Sequence, residues 1–230
     1  MVENVSTHPY LPPGLKLPCG YVENDKSILE LLGVFFGLTA VVMVSTWIYS
    51  GSNAKVKLST VQRLTVCWFV LCGCIHLILE GWFSVFHNSI AGDQSFLSQL
   101  WKEYSKADSR YVSADNFTVV MESITAFLEG PGSFLAAWSI LENKPSRYLL
   151  QLLVSTGQLY GDILYYTIEY KDGFVHGPMW HPLYFWFYFM FLNSFWIVIP
   201  FCLMVQACGK VSQAQSALDK TGAGKNKKSK

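Results

Sequence analysis

Cys74-Ile75-His76-Leu77-Ile78-Leu79-Glu80-Gly81-Trp82 sets two ionisable side chains deep inside an apolar run, Leu64 to Phe86. A helical membrane span takes about 20 apolar residues, so this run is long enough to cross a bilayer. At about 3.6 residues per turn, His76 and Glu80 fall on one helix face, one turn apart. Ionisable groups at membrane depth are expensive, so they normally face a bundle interior and mark a functional path or site. Helix–helix glue is the competing reading. A serine or asparagine would serve that purpose at lower desolvation cost.

Outward from this stretch, the composition is that of a membrane protein. The 230 residues are 51% hydrophobic and 14% charged, too apolar for an ordinary soluble domain. Five spans are expected, at about 28–49, 64–86, 117–141, 148–169 and 182–205, so the predicted fold class is an all-α membrane protein with five transmembrane helices. Residues 1–27 form a polar, proline-containing N-terminal tail without a signal-peptide pattern. Residues 28–208 form the membrane domain, and 209–230 a basic tail. Asn4-Val5-Ser6 is a glycosylation sequon, usable only if that end is lumenal. Cys67, Cys72, Cys74 and Cys202 sit in apolar segments as packing residues, and Cys72-x-Cys74 has neither zinc nor redox spacing.

Five spans put the termini on opposite sides. With the C-terminus cytosolic, that side carries Lys55, Lys57 and Arg63, then Lys144 and Arg147, then Lys210, Lys220, Lys225, Lys227, Lys228 and Lys230. The other side carries only Lys16, Lys26, Lys102, Lys106, Arg110 and Lys171. The positive-inside bias therefore favours a lumenal N-terminus and a cytosolic C-terminus. Lys227-Lys228-Ser229-Lys230 also resembles a dilysine retrieval signal of the endoplasmic reticulum. No basic patch interleaved with aromatics points to nucleic acid.

Between the second and third spans, Phe96, Leu97, Leu100, Trp101 and Tyr104 recur at helical spacing, with Lys102, Glu103 and Lys106 facing away. That pattern predicts a short amphipathic helix, lying on the interface or acting as a lid. Asp115-Asn116 caps the next helix. The third span meets a Gly130-Pro131-Gly132 interruption, tolerated in a membrane only where other protein groups satisfy the freed backbone. The short Lys144-Pro145-Ser146-Arg147 connection makes the third and fourth spans antiparallel neighbours.

Four polar sets then sit in apolar helices: His76/Glu80, Glu122/Thr125, Gln158/Asp162, and Asn193 beside Trp196. If helices two to five pack as one bundle, these line a common polar cavity. Two carboxylates near one histidine suit acid–base work, one group held protonated by apolar surroundings and another ionised by a neighbour. Trp196 offers a π face to a carbocation or an ammonium. Glu129 shares the Glu122 face but lies beside the Gly-Pro-Gly break, at the interface, and is left out of the set. A metal clip at His76/Glu80 lacks further ligands, since His8, His87, His176 and His181 lie outside or at the ends of spans. No phosphate-cradling glycine motif supports a nucleotide, so no cofactor and no metal are expected. What remains is proton chemistry on an apolar molecule, or binding of one.

The stretches His76–Trp82, Ser95–Tyr104, Asp108–Tyr111, Asp115–Val119 and His181–Phe189 together resemble the emopamil-binding protein family, which includes sterol Δ8,Δ7-isomerases and the sigma-2 receptor. The resemblance covers nearly the whole chain. It implies a five-helix protein of the endoplasmic reticulum membrane, continuous with the nuclear envelope, that moves the sterol 8(9) double bond to 7(8). Membrane lipid surrounds it. It also implies binding of cationic amphiphilic ligands and a homodimer. Carried over by residue, the important positions are His76, Glu80, Glu122, Thr125, Asn193 and Trp196, supported by Tyr104, Asp108, Arg110 and Tyr111.

The mechanism these imply has His76 as the acid that protonates C9, with Glu80 orienting it. Glu122, held by Thr125 and Asn193, stabilises the cation at C8 and is the candidate base at C7. Trp196 adds cation–π stabilisation, and the acid and base labels are exchangeable. A non-catalytic sterol- or amphiphile-binding protein, nearer the sigma-2 receptor, and a structural or lipid-sorting membrane protein are the alternatives.

Overall fold

The computed structural model describes residues 8–228, with side chains described as far as residue 221; Asn4 and the end of the lysine-rich tail lie outside the described residues. Among these residues the chain is all-helical, with no strand. Six helices follow one another: α1 (Ile28–Ser52), α2 (Thr60–Phe86), α3 (Phe96–Tyr104), α4 (Asn116–Leu141), α5 (Arg147–Lys171) and α6 (Pro182–Lys228). Four of them, α1, α2, α4 and α6, are long and apolar enough to cross a membrane.

Sequence sets the helix starts. Ser27 and Ser59 each cap with a reciprocal partner three residues on, Glu30 and Gln62, which is the capping box. That box moves the start of α2 upstream of the apolar run, to Thr60. Asp115 caps α4, as expected, by accepting from the Thr118 amide. His181 caps α6 by accepting from the amides of Leu183 and Tyr184 (both 3.2 Å), with Pro182 in the first turn. The ends are less legible. With no proline after Val205, α6 continues as helix to Lys228.

α5 is apolar on the outside and polar on the inside. Gln151, Ser155, Gln158, Asp162, Tyr165 and Glu169 form its buried stripe, while Leu149, Leu153, Tyr160, Ile163 and Tyr170 are exposed. The alternating three- and four-residue spacing is that of one helix face. At about 1.5 Å per residue its 25 residues are long enough to span. The polar stripe is what keeps it out of the apolar group.

Three π-helical segments interrupt the long helices: Ile75–Glu80 in α2, Thr125–Glu129 in α4 and Pro182–Leu192 in α6. In each the backbone hydrogen bonds reach back five residues where an α-helix reaches four, and such segments gather at functional sites. In α2 the Gly81 amide donates back to the His76 carbonyl, and in α4 the Gly130 amide donates to the Thr125 carbonyl. The cause in α4 is Pro131. It has no N–H for the Phe127 carbonyl and its ring would strike that carbonyl, so the turn before it widens. Gly130-Pro131-Gly132, expected to interrupt the span, is therefore inside a helix that runs on to Leu141.

Two cores flank the middle of the bundle. One packs Val66, Phe69 and Cys72 of α2 against Ala136, Ala137 and Ile140 of α4, with Leu203 of α6. The other packs Phe83, Trp101, Tyr111 and Tyr165 against Phe185 and Phe189. α1 fully buries only Leu31 and Ser50 and shows Leu29, Leu38, Val41, Val44 and Ile48 outward, as lipid contact requires.

The predicted amphipathic helix exists as α3, but its orientation differs from expectation. Lys102 and Glu103, expected to face away, are 1% and 3% exposed. The N-terminal tail lies over them. Lys102 donates to the Val22 carbonyl (2.8 Å) and to Gln94 (2.9 Å), and Tyr10 donates to the Lys102 carbonyl (3.2 Å). An irregular tail presents unpaired carbonyls, and these satisfy a lysine that periodicity alone would leave in water.

Candidate active site

The π-turn of α2 positions both members of the opening pair. His76 Nδ1 lies 2.8 Å from each carboxylate oxygen of Glu80. Its other ring nitrogen, Nε2, is 3.1 Å from the amide nitrogen of Gln158 on α5. His76 is 1% exposed and Glu80 9%. Both ring nitrogens are thus engaged by protein groups, and neither is free to meet a ligand directly.

Glu122 comes to the same place from α4. Its carboxyl adjoins that of Glu80 on the wall of one cavity, and its Oε1 accepts from the Tyr111 hydroxyl at 2.5 Å. Polar side chains thus follow one another as Tyr111–Glu122–Glu80–His76–Gln158, carried by three helices and one loop. Thr125 and Asn193 do not hold Glu122. The Thr125 hydroxyl donates to the Met121 carbonyl (2.8 Å), the usual back-bond of a threonine within a helix. Asn193 donates to the Tyr104 hydroxyl (2.8 Å) and the Phe189 carbonyl (2.7 Å).

α2 and α4 meet closely at this level because position 130 is glycine. A Cβ there would sit 2.8 Å from Leu77 Cγ and 3.3 Å from the Leu77 amide nitrogen. The two π-turns consequently face each other. Their loosened ladders also free a carbonyl: Trp101 Nε1 donates to the Leu79 carbonyl at 2.9 Å, which ties α3 to the site.

The supporting residues form a clamp beside the chain of acids. Arg110 grips Asp108 with Nε (2.9 and 3.0 Å) and a terminal nitrogen (2.6 Å), and lies over the Tyr165 ring at 4.5 Å. Both charges are almost fully buried, at 2% and 1% exposed. The bidentate fork stiffens the loop after α3, and Arg110 ties that loop to α5 through the Tyr165 ring and Glu169 (3.5 Å). Tyr111, next in the chain, stacks on Trp101 at 4.6 Å and so aims its hydroxyl at Glu122. Tyr104 packs edge-on against Tyr111 at 5.3 Å, and its hydroxyl meets that of Tyr165 at 3.3 Å.

These side chains line a cavity of about 430 Å³, the size of a small-molecule site. His76, Glu80, Glu122, Thr125, Asn193 and Trp196 all contribute to its wall, as do Tyr104 and Tyr111. Asp108 and Arg110 stand behind it. The cavity is not confined to helices two to five, because Leu32, Phe35, Phe36, Thr39 and Met43 of α1 close one side. Most of the lining is apolar. The Trp196 ring centroid is 6.2 Å from that of His76 and 5.5 Å from that of Trp68.

Two lining residues fall outside the expected set. Gln158 was visible as half of a polar pair but has a closer role than that, as the partner of His76. Glu129 is no interfacial group: it lines the cavity, with Oε2 buried and lacking a protein partner. Its room comes from Gly157, where any Cβ would collide with Glu129 Oε1. The available signal was its seven-residue spacing from Glu122.

Glu169, Asp172 and His176 are a grouping among the described residues with ligand atoms close enough for a metal. They lie apart from the cavity. Glu169 already accepts from His176 at 2.6 Å and pairs with Arg110 at 3.5 Å. The hydrogen bond to that carboxylate raises the His176 imidazole above its ordinary value, against a smaller opposing effect of burial.

The family described as EXPERA (EXPanded EBP superfamily) matches residues 96–207. The 3-beta-hydroxysteroid-Delta(8),Delta(7)-isomerase of Cavia porcellus is 50% identical over 212 residues, 92% of this chain and 92% of the relative. The enzyme of the same name from Rattus norvegicus is 50% identical over the same shares of both chains. That of Mus musculus is 47% identical over 215 residues, 94% of this chain and 93% of the relative. This chain belongs to the emopamil-binding protein (EBP) family.

Proposed function

We propose that this protein is a 3β-hydroxysteroid Δ8,Δ7-isomerase that works by proton transfer within its apolar cavity. Support comes from its relatives' names and above all from one observation, the carboxyl pair Glu80–Glu122 flanked by Tyr111 and His76. Moving a double bond from 8(9) to 7(8) adds a proton at C9 and removes one from C7, with no redox change. Two adjoining carboxyls in a water-poor site are suited to be acid and base in turn.

The engaged nitrogens of His76 alter the assignment of roles. Glu80 gives the proton to C9, and His76 behind it sets its charge. Glu122, with Tyr111 donating to it, faces the cation at C8 and takes the C7 proton. The contact between Glu122 and Glu80 then returns that proton to the acid, restoring the site. Trp196 presents a π face to the positive charge. Thr125 and Asn193 contribute to the wall around it, Asn193 by orienting Tyr104. A cationic amphiphile would occupy the cavity by resembling the charged intermediate.

α5 crosses the membrane as a fifth span, its polar stripe satisfied inside the bundle and its apolar face to lipid. The N-terminus is lumenal and the C-terminus cytosolic, in the endoplasmic reticulum, where sterol is made. The purified protein should convert a Δ8 sterol to its Δ7 isomer, with conversion lost in Glu80→Gln and Glu122→Gln. Absence of conversion by folded wild-type protein would refute the isomerase and leave a sterol-binding protein.

A further inference from the structure

Gln158 has no part in the scheme above, yet it is the partner of a central group. It is 3% exposed, its amide nitrogen is 3.1 Å from His76 Nε2, and its carbonyl oxygen is buried with no partner. A primary amide carries a donor and an acceptor side by side, and a half-turn of its terminal torsion exchanges them in place.

We infer that Gln158 is a positioning residue serving both proton loads of the His76–Glu80 pair. With one proton in the pair, Nδ1–H faces the Glu80 carboxylate and bare Nε2 accepts from the Gln158 amide. That is the arrangement in the structure. With two protons, Nε2 carries a hydrogen, whether the pair is imidazolium beside carboxylate or imidazole beside carboxylic acid. The amide then turns and Oε1 accepts that hydrogen, gaining the partner it lacks. No covalent bond changes in Gln158. The second proton is the one Glu122 hands back through Glu80, so the inference rests on the proposed isomerase reading.

The residue type follows from this requirement. Leucine at 158 would leave a buried N–H without a partner in the two-proton state. Glutamate would hold that state permanently. The other groups near His76 stay constant when position 158 changes: Glu80 and Cys72 on α2, Glu122 and Glu129 on α4, Asp162 on α5 and Trp196 on α6.

The test uses the full chain, 15N-labelled at histidine, in lipid nanodiscs without sterol. The His76 signals are identified by their loss in His76→Asn. In Gln158→Leu, the pH at which Nε2 gains its proton should fall by about one unit, a tenfold weaker proton affinity. In Gln158→Glu it should rise by at least as much. The falling limb of the turnover–pH profile should move the same way in each. A limb that stays put while the rate drops at every pH would mean a merely structural role. An Nε2 titration unmoved in both variants would overturn the inference, and the near-isosteric glutamate variant alone suffices if the leucine variant does not fold. The nitrogen signal needs no isomerase activity, so loss of the isomerase reading would be seen separately.

Discussion

Tyr111 donates to Glu122 across 2.5 Å, and through that bond a clamp outside the cavity reaches the carboxyls inside it. Arg110 and Asp108 have no place in the cavity wall. They fix the loop whose next residue is Tyr111. Tyr111 also packs against Tyr104 at the end of α3, which Asn193 orients from α6. Positions that family resemblance could only mark as supporting thus acquire a physical reason.

Tyr111→Phe keeps the stacked ring and removes only the donor. A hydrogen bond to a charged group is worth about 1.5–3 kcal/mol, so turnover should fall about 10- to 150-fold if the bond matters mainly in the transition state. Steady-state kinetics on the variant should show kcat reduced with KM little changed. Wild-type kcat would remove Tyr111 from the mechanism.

Arg110→Ala leaves Asp108 as a buried, unpaired charge. Breaking such a pair destabilises by about 3–5 kcal/mol. Thermal unfolding in detergent should show a large drop in midpoint that Tyr111→Phe does not share. Equal midpoints for the two variants would contradict the clamp.

Gly130→Ala should push α4 away from α2, since the new Cβ meets Leu77 at 2.8 and 3.3 Å. Overpacking of this kind costs about 1–3 kcal/mol. Turnover should fall with stability, and Leu77→Ala should restore part of both by clearing Cγ while the backbone contact remains. A fully active Gly130→Ala protein would show that close approach of the two π-turns is dispensable.

The His176–Glu169 pair makes stability pH-dependent. His176 is held above its unfolded value by the Glu169 hydrogen bond. Its contribution is therefore complete below an unfolded pKa of about 6.5 and is lost as pH rises through the higher folded value. The midpoint difference between wild type and His176→Gln should be largest in mild acid and shrink on the alkaline side. A difference that grows with pH would reverse the sign and refute the pairing.

His76 and Glu80 were legible in sequence because four-residue spacing shares a face whether the turn is α or π. The starts of α4 and α6 are legible because Asp115 and Pro182 act locally. Lys102 was not, because its partner is the Val22 carbonyl, 80 residues away, and periodicity carries no such information. The same limit hides the pairing of Gln158, itself legible as a cavity residue, with His76, 82 residues away, and that of Glu122 with Tyr111 rather than Thr125 and Asn193. A Gly-Pro-Gly run reads as an end and puts Glu129 at the interface, whereas the π-turn ahead of Pro131 lets α4 continue and carries Glu129 inward. α1 reads as a plain apolar span, and only packing reveals that it closes the cavity.

A single turnover in deuterated water tests the central claim most directly. With enzyme in excess over a Δ8 sterol and its exchangeable sites already deuterated, the Δ7 product should carry one deuterium at C9 and lack one C7 hydrogen. Glu122→Gln should give no such product. Unchanged Δ8 sterol, or Δ7 product without deuterium at C9, would contradict protonation from the Glu80–Glu122 pair.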